Sequence, residues 1–478
     1  MASTLSTTPI LATLGLLAAA CGGTPVRPPQ PKPIPTSIAI VGATLWDGTG
    51  RAPVPNAVTL VRGERIFCAG AAGECPIPKN ARIIEAKGQY LIPGLIDSHV
   101  HLLFLTRGSA GEELGRDLRD LLAQGVTTVR DMGTDPAALL MRVRALQAAP
   151  RVHTMQLVAG RRFFFNGFQG THTARGMIYR QPPAMAMQQL GWRPLQFDPG
   201  DDPQAIVAEA RKAGAMGLKL YAHLDSISVR LLTAAAHRAG MPVWGHAWVQ
   251  PASVMEQSTA GMDGVVHAAG LAGELFTIED RDTLLRDGDL QTATAEVATV
   301  GAAHDPRVLA ALDTMARRGV IFEPTIDAVR HSVVSYDAKL RHIPSIQEEY
   351  VRSASRFGME VARQAVKRGV RISAGSDHVS YGPVMDRATL FGELQLLVDS
   401  LDMSPTAALL AATRDAARAI GGEPGRQIGT VQKGRYADLV LLSRNPLEDI
   451  ANLEQVNLVM IGGKIWRPGQ LRSGIAMN

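Results

Sequence analysis

Cysteine is scarce in this chain: 478 residues contain three. That excludes a disulfide-dense scaffold and a metal centre built from cysteine alone. Aromatic residues are few as well, at 5%, but hydrophobic residues reach 46% and charged residues 19%, so a disordered chain is excluded and a large core is expected. There is no block of like charge. Lys and Arg alternate with Asp and Glu, and the formal net charge is only +5, which gives no electrostatic footprint for nucleic acid. Past the extreme N-terminus no apolar run is long enough to span a bilayer.

The N-terminus stands apart. "LATLGLLAAACGG" is a short apolar run closing on small residues around Cys21. Its length suits a signal peptide better than a membrane span. The stretch Leu-Ala-Ala-Ala-Cys resembles a bacterial lipoprotein signal, which implies a signal peptide over 1–21 with Cys21 as the lipidated mature N-terminus. An ordinary cleaved secretory signal is the alternative. Residues 22–36, "GGTPVRPPQPKPIPT", then read as an extended Pro-rich tether. The expectation is an exported protein on the periplasmic side of a bacterial envelope, touching the membrane only through its lipid anchor. In such a compartment Cys68 and Cys75 form either a short-loop disulfide or two separate thiols, and sequence does not choose between them.

Two kinds of pattern follow. Residues 37–92 and 423–478 read as short strands separated by Gly, Asn and Asp, including "SIAIVGATLWDGTG", "AVTLVRGERIFCAG", "GRYADLVLLS" and "VNLVMIGGKIWRPG". Both chain ends are therefore expected to build a small β-sandwich domain. Between them, over 93–422, strand-like runs such as "GVTTVRDMG", "VHTMQLVAG", "GLKLYAH", "MPVWGHA", "DGVVHAAG", "GVIFEPT" and "VRISAGSDH" alternate with helical segments such as "PQAIVAEARKAGA". That alternation predicts an α/β fold with a parallel sheet, here a (β/α)8 TIM barrel.

The run "LIPGLIDSHVHLLF" ends in His-x-His, and alternation along a strand sends His99 and His101 to one face. Other strands end in ligand-capable residues too: Lys219, His246, His267 and Asp377. Barrel active sites form where the strands end, so all six side chains are expected at one mouth. Nitrogen and carboxylate donors of this kind suit divalent first-row metals, zinc foremost. His99, His101 and Asp377 could hold one ion, and His246 and His267 a second. Two neighbouring cations need an anionic bridge. An ammonium has no lone pair to offer, but a neutral Lys219 can add CO2 to form a carbamate, and burial favours the neutral amine. The alternative for Lys219 is a structural ammonium paired with an acid.

The motifs "LIPGLIDSHVH", "GLKLYAHL", "GHA", "VVHAAG", "GSDH", "ALLAATRDAARAIGG" and "GTVQKGRYADLVLLSRNPLEDI" together resemble the amidohydrolase superfamily, in the branch of imidazolonepropionase-like enzymes and Xaa-Pro-type dipeptidases. The resemblance implies a binuclear site with Lys219 as carboxylysine and hydrolysis of an amide, peptide or cyclic amide. It implies attack by a metal-bound hydroxide, its water ionising near pH 7 at about the value a bound metal imposes. Asp377 is then the catalytic general base that passes the proton to the leaving nitrogen. It further implies substrate contacts from Tyr221, in a Lys-x-Tyr pattern, and from His172 in the loop "FNGFQGTHTARG". A homo-oligomer is compatible with the resemblance, and no sequence signature shows one.

Asp97 reads as a structural hydrogen-bond acceptor, His378 as facing away, and Arg161 and Arg162 as solvated. The segment at about 270–306 reads as an insertion lidding the mouth. The substrate expected is a small peptide-like amide, a dipeptide or an N-acyl amino acid. A cyclic amide or lactone is the enzymatic alternative. A non-catalytic envelope protein that binds metal or ligand on a barrel is the alternative from another class.

Overall fold

In the computed structural model the described residues are 37–102, 110–133, 135–146, 148–160, 194–281, 296–331, 345–379 and 389–473. The expected signal peptide, Cys21, the tether, Arg161, Arg162, His172 and the middle of the expected lid lie outside them. No described helix is long and apolar enough to cross a membrane.

Chain order begins with β1 (Ser37–Leu45), β2 (Val54–Arg62), β3 (Arg65–Ala71), β4 (Arg82–Glu85) and β5 (Tyr90–Pro93). Next come β6 (Leu95–His101), β7 (Val126–Asp131), β8 (Arg151–Ala159), β9 (Leu195–Gln196), β10 (Gly217–Leu220), β11 (Val243–His246), β12 (Gly264–Val266), β13 (Ile321–Glu323), β14 (Arg371–Ile372) and β15 (His378–Val379). The last are β16 (Leu439–Leu442), β17 (Val456–Ile461) and β18 (Lys464–Trp466).

The two chain ends meet in one sheet of order β18-β17-β16-β5-β1-β2-β3, with β4 beside β1. Antiparallel pairing of β16 with β5 joins the halves, Val440 opposite Ile92. Apolar side chains from both arms, among them Ile40, Val61, Ile66, Leu91, Leu439 and Met460, share one buried cluster, so the sheet curls over its own apolar face. Cys68 and Cys75 are joined in a disulfide beside β3, with Cα atoms 5.7 Å apart.

The second sheet runs β14-β13-β12-β11-β10-β8-β7-β6-β15, with β9 beside β8. All of its neighbours are parallel, as a strand–helix alternation requires. It closes on itself through the stretch that holds both β14 and β15. β14 pairs with β13 and β15 with β6. Between them the Ser98 N–H donates to the Ala374 carbonyl at 3.2 Å and the Asp377 N–H to the His99 carbonyl at 2.9 Å. The ring is the expected barrel, with the β14–β15 stretch as its eighth staves' position.

Local signals set the surrounding helices. Asp202, Asp225 and Asp305 cap the helices Pro203–Ala213, Ser226–Arg238 and Pro306–Arg318 by accepting backbone N–H groups. Gly214 and Gly319 end the first and third in the left-handed conformation. The described ends of the segment read as an insertion are built into the main core: Leu271, Ala272, Ala298 and Ala303 are buried in one cluster with Phe357 and Val361 of the helix Ser345–Lys367.

Candidate metal centre

The six side chains expected at the mouth are brought together there. His99 and His101 lie at the end of β6, two residues apart and therefore on one face. Their Nε2 atoms are 3.3 Å apart. Asp377 Oδ1 lies 3.3 Å from His99 Nε2 and 3.2 Å from His101 Nε2. One donor atom from each of these three residues falls within 4.8 Å of the others. His267 follows β12, with Nδ1 3.9 Å from Asp377 Oδ2 and its ring centre 4.9 Å from that of His99. His246 ends β11, 4.5 Å from His267 between ring centres. Tyr221, just past β10, tilts over His246 at 4.3 Å.

Lys219 in β10 is fully buried and its Nζ has no hydrogen-bond partner among the described residues. A buried ammonium in that state is costly. Burial pushes the amine down to about 7, with Arg130 adding to the effect and the carboxylates of Glu323 and Asp377 opposing it. The imidazoles of His99, His246 and His267 are also held well below the ordinary histidine value, first by burial. Unprotonated imidazoles and an amine near neutrality are the forms in which nitrogen has a lone pair to give. Burial alone would raise the Asp377 carboxyl. The imidazoles of His99, His101 and His267 outweigh that and hold it ionised. The donor set, with a buried amine coupled electrostatically to Asp377 and to the imidazoles, fits a divalent metal.

The backbone is bent to present these groups. His267, Thr325 and Asp377 have φ of 69°, 50° and 54°, a region that side-chain-bearing residues rarely occupy and that tends to cluster at functional sites. Gly375 allows Asp377 to approach. A Cβ there would sit 2.6 Å from His99 Cβ and 2.8 Å from Glu323 Cδ.

Glu323 and Arg130 belong to this assembly although the sequence pattern did not single them out. Glu323, at the end of β13, accepts from His99 Nδ1 at 2.9 Å and from Arg130 Nη2 at 3.0 Å, and its second oxygen also takes the Ser98 hydroxyl. Arg130 in turn donates to the carbonyls of Ser98 at 2.8 Å and Ala419 at 2.7 Å and lies over the Trp244 ring. Both charged groups are fully buried. Their signal was a Glu and an Arg inside apolar strand runs, since neither is left fully buried unless paired. A carboxylate on His99 Nδ1 directs Nε2 toward His101 and Asp377. Thr325 does the same for His267, its hydroxyl 2.8 Å from Nδ1.

Asp97 accepts from the Ser376 N–H at 2.9 Å, the Ser376 hydroxyl at 2.6 Å and the His99 N–H at 3.2 Å. It therefore ties β6 to the closing stretch rather than facing the cluster, and burial raises it to about 7. His378 lines a separate cavity with Asp117, Asp120 and Arg472.

The Amidohydrolase family model matches residues 90–466. Ochratoxinase from Aspergillus niger is 23% identical over 459 residues, covering 91% of this chain and 86% of that protein. Imidazolonepropionase from Symbiobacterium thermophilum is 26% identical over 431 residues, covering 86% of this chain and 91% of its own length. Among solved structures, a Xaa-Pro dipeptidase with bound methionine in its active site superposes with a TM-score of 0.66 at 21% identity, over 90% of this chain and all of that one. With a matched span that runs from β5 to β18 and contains every residue of the cluster, the chain belongs to the amidohydrolase family.

Proposed function

We propose that this protein is a metal-dependent hydrolase that cleaves the amide bond of a dipeptide or an N-acyl amino acid. The observation that carries the reading is the cluster itself: three imidazoles around an ionised Asp377, with an unpartnered, buried Lys219 beside them. His99, His101 and Asp377 would hold one divalent ion, and His246 and His267 a second. Lys219, as the carbamate formed when its neutral amine adds CO2 and loses a proton, would supply the anion between them. Zinc suits this donor set. When bound, such ions activate a water and polarise the scissile carbonyl.

The remaining steps fall to the protein. Asp377 takes a proton from the attacking water at a carboxylate oxygen and returns it to the departing nitrogen. Glu323 and Thr325 keep two imidazoles in the ligating tautomer. Tyr221, packed on His246, forms one wall for the substrate, and His172 is assigned a second contact on sequence resemblance alone. Similarity to a Xaa-Pro dipeptidase supports a peptide-like substrate. The 26% identity to imidazolonepropionase supports a second reading, a cyclic amide or lactone. The apolar N-terminal run and the Cys68–Cys75 disulfide support an exported site of action, on the periplasmic side of a bacterial envelope with a lipid on Cys21.

Elemental analysis and intact mass of the purified chain test the reading, alongside a screen of dipeptides and N-acyl amino acids. About two divalent ions per chain are expected, with one or both lost in Lys219→Ala. One ion untouched by that change overturns the bridged site. No amide turned over faster than by metal-stripped protein overturns the hydrolase.

A further inference from the structure

The barrel end opposite the metal cluster holds a cavity of about 550 Å3. It lies beside the helix Arg414–Ile420, whose Ala416, Ala417 and Ile420 pack on Ile96 at the start of β6. Four arginines line it, Arg414, Arg418, Arg426 and Arg435, together with Thr430 and Gln432. Among the described residues no carboxylate lines it. A neighbouring cavity shares Gln432 and Arg435 but is lined by Asp47 and Glu74 as well as Arg51 and Lys433, so mixed charge is the local norm and the single-sign wall is the exception.

The nearby acids do not cancel this charge. Asp415 is shared by three guanidiniums: Arg414 at 2.9 Å, Arg418 at 2.8 Å and Arg371 at 3.8 Å. Glu423 pairs with Arg426 at 2.7 Å. Arg435 donates to the Ile428 carbonyl at 2.8 Å and forms no ion pair among the described residues. Burial lowers its guanidinium from the ordinary value, with no carboxylate acting against it. Among the described residues the four lining guanidiniums therefore have only two carboxylates, Asp415 and Glu423, paired with them, and neither lines the cavity.

We infer that this cavity is a second binding site, separate from the hydrolytic centre, for a phosphoryl group. Four lining guanidiniums against two carboxylates leave a two-charge excess, which a dianion matches better than a single carboxylate. The fork of guanidinium donors pairs with tetrahedral phosphate oxygens two at a time. The volume is in the range of small-ligand sites. Barrel chemistry sits at the strand-end mouth, so occupancy here leaves the metal cluster open. The inference is independent of the substrate proposed above. The phosphoryl group can come from a free phosphate ester or from a phospholipid headgroup.

Calorimetric titration of the full chain with inorganic phosphate, at ionic strength matched with chloride, tests the first source. Sedimentation with phosphatidylglycerol vesicles, against phosphatidylcholine vesicles, tests the second. Arg435→Gln and Arg418→Gln are compared with wild type, circular dichroism confirming that each is folded. Saturable phosphate binding weakened about tenfold in each variant supports the site with a free ester as ligand. Sedimentation with phosphatidylglycerol that Arg435→Gln releases, without saturable phosphate binding, supports it with a headgroup as ligand. Binding in neither arm overturns the inference, as does binding that both folded variants retain unchanged.

Discussion

The two ends of the barrel treat positive charge in opposite ways. At the strand-start end, Arg414, Arg418 and Arg426 keep side-chain exposures of 30%, 49% and 68% and lean on Asp415 and Glu423. Those guanidiniums stay hydrated beside their carboxylates, so each pairing there is worth little. At the mouth, Lys219 and the imidazoles of His99, His246 and His267 are buried, and burial drives each of them toward its neutral form. One end stores charge and the other stores lone pairs. The difference comes from solvent access, and it separates a surface able to hold an anion from a pocket able to hold a cation.

The largest expected effect comes from breaking the mouth at Asp377. Asp377→Asn keeps the shape and removes the proposed proton acceptor, so turnover should fall by roughly 10²–10⁴-fold, while far-UV circular dichroism stays unchanged. A near-wild-type rate on an amide substrate would remove Asp377 from the mechanism. Glu323→Gln should instead strike stability. It leaves Arg130 buried without its counter-charge, a loss of roughly 3–5 kcal/mol, read as a lower midpoint in denaturant. An unchanged midpoint would mean that Arg130 is held by carbonyls and Trp244 alone.

Glu393 sharpens the comparison through pH. It is fully buried, and burial raises it to about 8, with the Asp327 carboxylate adding to the effect and backbone N–H groups of Asp327 and Ile326 opposing it. Below the ordinary value of 4.5 both folded and unfolded chains carry this proton. As pH rises from there toward 8 the unfolded chain releases it first, so stability falls across that window and levels off above it. Glu393→Gln should flatten this decline in the thermal midpoint between pH 5 and 8. A slope identical to wild type would assign the decline to other groups. The smallest effect belongs to the exposed end: Arg426→Gln should leave the unfolding midpoint where it is, because its partner pair is two-thirds open to water. A clear drop would show the pair to be part of a cooperative network.

What the sequence made legible follows from the range of its patterns. His-x-His at 99 and 101 could be read because strand alternation fixes their common face without knowledge of any partner. Lys219, His246, His267 and Asp377 could be read because each follows a recognisable apolar run. Arg130 and Glu323 sit in the same kind of run, but their meaning is a contact across 193 positions, and no local period encodes that. The Cys68–Cys75 pairing likewise depended on Cβ positions that spacing leaves open. The fold class was accessible because strand–helix alternation spans hundreds of residues. That both chain ends build one small β domain was accessible in the same way; its register, with β16 on β5 and Val440 opposite Ile92, was not, since no local pattern fixes pairing between distant strands.

The stretch from Arg371 to Val379 carries a final consequence. The same backbone that hydrogen-bonds to β13 on one side and to β6 on the other also holds Asp377 against His99 and His101. An open ring therefore lacks its carboxylate. If Asp377 acts as proposed, enzymatic rate becomes a gauge of circular continuity: a chain in which this last seam has parted should be silent, however native the rest of it looks to spectroscopy. A destabilising change anywhere along the seam should extinguish activity before it dissolves secondary structure, and the interval between the two losses would measure how much of the barrel can stand without being shut.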